Sequence, residues 1–352
     1  MKPYIFLFLL LCSTSLFGQN DPNLFPEVSL EDAGFNRDSI NTLLEQIQTT
    51  RHGDFRGLVV IKDNELVLEE YYNTFWRNTI HDIRSAGKSI TALLLGVALK
   101  EGLIDNLDQS VYSLFSEERN ERIHEDYKKV KLRDILDMSS GLDADTDSPK
   151  TRGHAGQWIA RDDWKEYLLN IPMVEKPGER WVYADMNALL IGLAIEEASG
   201  MSLRDYAQKR LFSPMGIEQV YWYTNAANQT GAAGNLYLTT LDFAKLGWLV
   251  ANNGAWGDTQ LMDEAYLKKL IAHKKFDLAP FAESYGFLWY KTTGTFRGKE
   301  VEYLFAAGNG GNQLVVFPEQ NMVIALTSSA YGQPYGHGRS FYIVDKILSA
   351  AE

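Results

Sequence analysis

Ser85 and Lys88, in the run Ser85-Ala86-Gly87-Lys88, are the residues whose types and spacing most readily do chemistry. They stand where an irregular stretch, His81 to Arg84, enters a long apolar segment. Residues three apart on a helix share a face, so the Lys88 amine can reach the Ser85 hydroxyl. A serine alcohol is a weak nucleophile until a neighbour takes its proton. A lysine does this when burial or nearby positive charge lowers its pKa. A helix start also offers unpaired N–H groups and partial positive charge to a developing oxyanion. Taken alone, the pair reads first as a capped helix start, because serine is a preferred N-cap.

Two other segments carry candidate chemistry. Trp181-Val182-Tyr183-Ala184-Asp185-Met186-Asn187 precedes a second helical pattern and could present the Tyr183 phenol to a cleft. Its structural alternative is a half-buried tyrosine, with Asp185 or Asn187 capping the next helix. Ala307-Gly308-Asn309-Gly310-Gly311-Asn312-Gln313 runs into a strand. Its glycines allow a close approach to the backbone or a bulge at the strand start. A hairpin turn is the plain reading, and a strand edge whose N–H points into a site is the functional one.

The surrounding pattern predicts the elements that would position these groups. Ile40, Leu43, Leu44 and Ile47 mark one face of a helix over 38–48. The runs Gly57–Ile61 and Leu66–Tyr72 flank Asp63-Asn64 as a hairpin. Residues 89–103 are apolar nearly all round, which predicts a buried helix with Gly102 at its C-terminal end. Helices are predicted over 132–138, over 187–199 with Gly200 as the stop, over 203–211 and over 240–250. Strands follow over 285–290 and 302–306, then a hairpin of 313–317 and 322–327 around Pro318–Asn321, and a terminal helix over 340–350. Strands at both ends with helices between predict a mixed α/β (α+β) fold, an antiparallel sheet built from both termini and flanked by helices, beside a mostly helical lobe. The expected organisation is a leader over 1–19 and one domain over 20–352. Its α/β lobe takes about 25–84 and 235–352, and its helical lobe about 85–234. A ligand cleft is expected between the two.

A formal net charge of −12 with no basic cluster argues against nucleic acid as a partner. Lys2, the apolar run Tyr4–Cys12 and the small residues after it have the layout of a secretory signal peptide, cut near Gly18 or Gln19. The expected location is therefore periplasmic or secreted. The run is short for a bilayer span, and no later segment is long and apolar enough to form one. Cys12 is the single cysteine and lies in that leader, so the mature chain would hold no disulfide and no thiolate metal ligand.

In this order, the three elements resemble the serine β-lactamase and penicillin-binding-protein superfamily, whose motifs include Ser-x-x-Lys and Lys-Thr-Gly. The class C β-lactamase-like branch is the nearer match, and it also holds esterases, D-alanyl peptidases and 6-aminohexanoate-dimer hydrolases. Leu132–Leu142, Phe243–Gly247 and Val315–Glu319 are similar to that branch too. The resemblance implies a β-lactamase/transpeptidase-like fold and covalent acyl-enzyme chemistry. Ser85 would attack a carbonyl, Lys88 would take or relay its proton, and Tyr183 would assist and later activate water. The N–H of Ser85 and one after Gly311, that of Asn312, would form the oxyanion hole.

Two slots depart from the family pattern. Tyr-x-Asn reads Tyr183-Ala184-Asp185, and Lys-Thr-Gly reads Asn309-Gly310-Gly311, without the cation. Both changes disfavour an anionic substrate. The expected activity is that of a carboxylesterase or amidase on a neutral or cationic small-molecule ester, amide or peptide-like compound. The alternatives are a β-lactamase or D-alanyl-D-alanine carboxypeptidase, and a non-catalytic acyl-ligand-binding domain of the same fold. A Ser-His-Asp hydrolase would want Gly-x-Ser-x-Gly, which is absent; His81, His154 and His337 qualify by type alone. No zinc motif is present and Asp143–Asp147 lacks EF-hand spacing, so no cofactor or metal is expected.

Overall fold

The computed structural model describes residues 25–116 and 123–352, so the leader expected over 1–19 lies outside the described residues. Asp63 and Asn64 make the first hairpin turn. Both adopt left-handed backbone, φ +51° and +66°, which suits a two-residue turn and which Asp and Asn tolerate. They join β1 (Phe55–Lys62) to β2 (Glu65–Tyr71). The later strands are β3 (His81–Asp82), β4 (Tyr221–Trp222), β5 (Leu236–Leu238), β6 (Ala255–Trp256), β7 (Thr259–Gln260), β8 (Phe276–Leu278), β9 (Ala282–Gly286), β10 (Trp289–Phe296), β11 (Lys299–Gly308), β12 (Asn312–Phe317) and β13 (Met322–Ser328). The main sheet has the order β2-β1-β13-β12-β11-β10-β9-β8 and is antiparallel throughout. The amino-terminal hairpin thus pairs directly, through β1, with β13 from the carboxy-terminal part of the chain.

The central strands are buried on both faces, and their alternate residues enter two separate cores. Val59, Ile61, Leu314, Val316, Val323 and Ala325 face the helical side. Leu58, Val60, Val315, Phe317, Ile324 and Leu326 face the other side. The second face is covered by the helices Arg37–Thr49 and Tyr335–Ser349, through Ile40, Leu43 and Ile47 and through Ile343, Val344 and Ile347. The first face is covered by the helix Thr240–Ala251 and by the helix Gly87–Lys100, whose residues from Gly87 to Ala98 are all buried. This explains the all-round apolar pattern of the latter helix.

Most predicted elements are present, with shifted ends. The buried helix starts at Gly87 and stops at Lys100, and Gly102 follows with φ +70°. The helix expected over 187–199 begins at Asp185 and ends at Gly200, φ +68°, as predicted. The helix over 203–211 is α-helical only to Ala207 and then widens to a π turn over Gln208–Phe212. The strand expected over 285–290 is two strands: Phe287 and Leu288 take left-handed backbone, φ +56° and +60°, and fold Trp289 back opposite Gly286. The terminal helix starts five residues earlier than expected, at Tyr335.

Helix Thr240–Ala251 lies so close to the sheet that a Cβ on Gly247 would stand 2.6 Å from Val323 Cγ1 and 2.8 Å from Leu314 Cδ1. Helix propensity alone favours alanine over glycine by about 1 kcal/mol, whereas overpacking a core costs about 1–3 kcal/mol. We expect Gly247→Ala to lower stability in urea unfolding; a gain would show that this contact is looser than described.

Candidate active site

The turn that carries Ser85 is built from the segment before it. β3 pairs with β5, and the Ile83 N–H donates to the Leu236 carbonyl, so His81–Ile83 is tied to the 231–238 segment. The Arg84 N–H then donates to Asp82 Oδ1 at 2.8 Å, and Arg84 takes left-handed backbone, φ +55°. Such a conformation is uncommon outside glycine, and it tends to occur at functional positions. One 3₁₀ turn, Arg84–Ala86, holds Ser85 and leads into helix Gly87–Lys100. Neither helical start has a side-chain cap. The Ser85 hydroxyl is therefore not spent on capping, and its Oγ lies 3.0 Å from Lys88 Nζ.

Lys88 is buried, with 1% of its surface exposed. Besides Ser85 Oγ, its ammonium meets the Ala233 carbonyl at 2.8 Å and Asp185 Oδ1 at 2.7 Å. Nζ also lies 5.0 Å from the centroid of the Tyr183 ring. Burial alone would discharge the lysine. The Asp185 carboxylate and the Tyr183 oxygen outweigh it, and the ammonium is held above the ordinary lysine range.

Three loops fix these partners. The Val182 N–H donates to the Met138 carbonyl, the Tyr183 carbonyl accepts from the Thr146 N–H, and the Asp185 N–H donates to Thr146 Oγ1 at 2.9 Å. Asp185 is the first residue of helix Asp185–Ser199, where the helix dipole favours a negative charge. The 231–235 loop is held by Thr91 Oγ1, which donates to the Ala232 carbonyl, and by Trp222 Nε1, which donates to the Gly231 and Gly234 carbonyls. Behind Tyr183, Tyr290 makes a phenol–phenol contact. Burial first, then the Tyr183 contact, pushes the Tyr290 phenol well above its usual range and keeps it protonated.

Gly308 ends β11 against the turn that carries Ser85, where a Cβ would stand 2.0 Å from the Ile83 carbonyl oxygen. A side chain there would displace the turn. The next residue, Asn309, borders the same cavity as Ser85. Its Oδ1 is engaged by the Gly332 N–H, and its carbonyl accepts from Asn312 Nδ2. Among the described residues, neither the Ser85 N–H nor the Asn309 N–H has a protein acceptor. Gly310 and Gly311 turn away, with φ +93° and +89°, to pack on Tyr331 and Gly336. Asn312 is fully buried, and its Oδ1 accepts from the Ser328 N–H. The structure thus brings Ser85, Lys88, Tyr183, Asp185 and Asn309 together. Gly310, Gly311 and Asn312 instead shape the turn behind them. The donor expected at Asn312 is displaced to Asn309, because Asn312 is held in the hairpin core.

A cavity of about 200 Å³ opens on Ser85. Sequence reading missed most of its wall. Trp158, Trp164 and Tyr223 form an aromatic side, with centroid separations of 5.2 Å and 6.0 Å. No periodicity marks them, because they come from two short helices and a loop. Arg84 also borders the cavity, with its guanidinium 4.2 Å above the Tyr331 ring and its Nε 3.1 Å from Asp82 Oδ2. A cation therefore does stand near the site, although the Lys-Thr-Gly slot has none.

The histidines hold structure. His81 is buried against the Ser328 carbonyl and the Tyr331 hydroxyl, and desolvation brings it down to about 4. His154 Nδ1 accepts from the Gly156 N–H, and His337 packs on Phe281. In the acidic loop, Asp143 and Asp145 carboxylates accept backbone N–H groups of Arg152 and Asp147.

With this geometry in place, comparison with known proteins gives a consistent result. The sequence profile of the family described as Beta-lactamase matches residues 41–346. A protein of Escherichia coli O157:H7, provisionally named a D-alanyl-D-alanine carboxypeptidase, is 23% identical over 95% of this chain and 92% of its own. The solved structure of a provisionally named 6-aminohexanoate-dimer hydrolase from Bacillus anthracis has a TM-score of 0.73 at 21% identity, covering 92% of this chain and 87% of that one. A class C β-lactamase has a TM-score of 0.65 at 16% identity, over 90% and 96%. The fold is the β-lactamase/transpeptidase-like fold, and the chain belongs to the Beta-lactamase family, whose relatives include hydrolases.

Proposed function

We propose that this protein is a serine hydrolase that cleaves an ester or amide through a covalent acyl-enzyme on Ser85. The observation that carries the reading is the 3.0 Å contact between Lys88 Nζ and an uncapped Ser85 Oγ at the mouth of the aromatic cavity. Ser85 Oγ attacks the carbonyl carbon, and the carbonyl electron pair moves to oxygen. The free N–H groups of Ser85 and Asn309 receive that oxyanion, a role worth about 10²–10³ in rate per donor. Lys88 and Tyr183 manage the proton of the nucleophile, of the leaving group and then of the attacking water.

The preferred substrate is a neutral ester or amide with a bulky apolar acyl group. The charges at the site are internally paired, Lys88 with Asp185 and Arg84 with Asp82, and one side of the wall is apolar, with Trp158, Trp164 and Tyr223 beside Ala155, Ile159 and Leu189. Burying apolar surface against such a wall is favourable by about 25 cal/mol per Å². A second reading, D-alanyl-D-alanine carboxypeptidase, is favoured by the names of the curated relatives and by Arg84, a guanidinium suited to a substrate carboxylate. The leader sequence supports export to a periplasmic or extracellular compartment.

A panel of acetyl, hexanoyl and phenylacetyl esters, a D-alanyl-D-alanine peptide and a chromogenic β-lactam tests these readings. We expect ester hydrolysis, with Ser85→Ala lowering kcat/KM by at least about 10³-fold; retention of full activity would refute the nucleophile. Tyr223 is partly exposed on the cavity wall, so Tyr223→Ala should spare the fold and reduce the preference for phenylacetyl over acetyl by roughly tenfold. An unchanged preference would place the acyl group elsewhere, and turnover of the D-alanyl peptide alone would favour the second reading.

A further inference from the structure

Three lysines are buried among the described residues, and two of them face a carboxylate. Lys88 meets Asp185 at 2.7 Å and Lys245 meets Asp242 at 2.8 Å. The third, Lys291, is 4% exposed, and no carboxylate among the described residues lies within ion-pair range of it; its Nζ donates to the His273 carbonyl. A buried ammonium without a counter-charge is costly, and a lysine so placed tends to give up its proton. On the sheet, Lys291 of β10 stands opposite Ser284 of β9 and Leu304 of β11. Paired positions share a face, here the helical one, where Leu304 joins the core. Ser284 is 6% exposed, and its hydroxyl has no hydrogen-bond partner among the described residues. Both side chains line a cavity of about 70 Å³ that shares no lining residue with the one at Ser85. Ile271, Leu304 and Pro318 give it an apolar wall.

The charged groups around Lys291 leave its amine available. Asp137, beyond the 273–275 segment, is taken by His273 and Lys275. At the cavity rim Glu302 is paired with Lys274, and Glu283 accepts from the Thr293 N–H and hydroxyl. Glu319 completes the rim. Three carboxylates against one ammonium there repel small anions. Burial, the largest influence, brings the Lys291 amine down to about 8, against the pull of Asp137 and Glu302. We propose that Lys291 is a nucleophilic amine that condenses with a small neutral aldehyde entering this cavity, with the Ser284 hydroxyl donating to the aldehyde oxygen. The nitrogen lone pair bonds to the carbonyl carbon, the carbonyl electron pair moves to oxygen, and one amine proton passes to that oxygen, which gives a carbinolamine. The remaining N–H proton then leaves with the hydroxyl group as water, and the carbon–nitrogen double bond of the imine forms. A desolvated lysine is suited to this step, which needs no reactant besides the aldehyde. The site is separate from the chemistry at Ser85 and does not depend on it.

The test is reductive trapping of the folded protein near pH 7 with propanal and cyanoborohydride, which reduces an imine to a stable secondary amine, followed by peptide mapping at early times. With a pKa of about 8, the neutral fraction near pH 7 is on the order of a hundredfold above that of an ordinary lysine. Lys291 should therefore be alkylated at least about tenfold faster than the exposed Lys176 and Lys268. The lead should vanish in urea. Ser284→Ala should reduce it by roughly fivefold, as the loss of one neutral hydrogen bond predicts. Glyoxylate, an aldehyde that carries a carboxylate, should show no lead at Lys291, because the rim repels it. Labelling of Lys291 no faster than of the exposed lysines overturns the inference. So does a larger lead with glyoxylate than with propanal, which marks an anion site instead. Lys291→Met should abolish the early adduct, and an early adduct that persists in it places the reactive amine elsewhere. The wild-type map decides the question without requiring any variant to fold.

Discussion

A buried ammonium needs an anion, and the helical side of this protein is arranged around that requirement. Lys88 is 1% exposed in the first turn of an otherwise apolar helix. An unpaired charge there would cost several kcal/mol or would discharge. Three separate segments supply its oxygens: Ser85 from the turn before the helix, Ala233 from the 231–235 loop and Asp185 from the start of another helix. These contacts thus fix the relative placement of Ser85, the 231–235 loop and the segment that carries Tyr183. Breaking a buried pair on one side only is typically much more costly than never having formed it.

The sheet contributes by crowding rather than by side-chain chemistry. β11 ends at Gly308, in contact range of the Ile83 carbonyl, and the next residue, Asn309, borders the cavity that Ser85 borders. At the start of β12 and the end of β13, Asn312 and Ser328 are joined through the asparagine amide. Bulk at Gly308 would push the Ser85 turn away from the end of β11. This is why an all-antiparallel sheet with buried faces sits directly behind a site whose reactive groups come almost entirely from helices and loops.

Much of this was legible in the chain. The hairpin at Asp63-Asn64, the buried helix after Ser85, the stop at Gly200 and the hairpin around Pro318–Asn321 follow from periodicity and turn residues, which act locally. The Ser85–Lys88 contact follows from helical spacing. Other features were not legible, because they are set by contacts between distant segments. Phe287 and Leu288 read as strand residues, yet tertiary packing forces them into a left-handed turn. Asn312 looked like a site residue by its place after two glycines, but its burial in the hairpin makes Asn309 the neighbour of the cavity. Asp185 lines the cavity, in keeping with a group that faces substrate, but its pairing with Lys88 depends on two distant segments meeting and no local spacing shows it. Trp158, Trp164, Tyr223 and Arg84 gave no pattern in sequence, since a cavity wall drawn from unrelated loops has none.

The account stands on Ser85 being the atom that becomes acylated. Peptide mapping by mass spectrometry after reaction with a fluorophosphonate tests this directly. The prediction is a single stoichiometric adduct on the peptide containing Ser85, suppressed by prior incubation with a slowly hydrolysed ester. An intact protein without adduct, or an adduct on another residue with Ser85 unmodified, would contradict it.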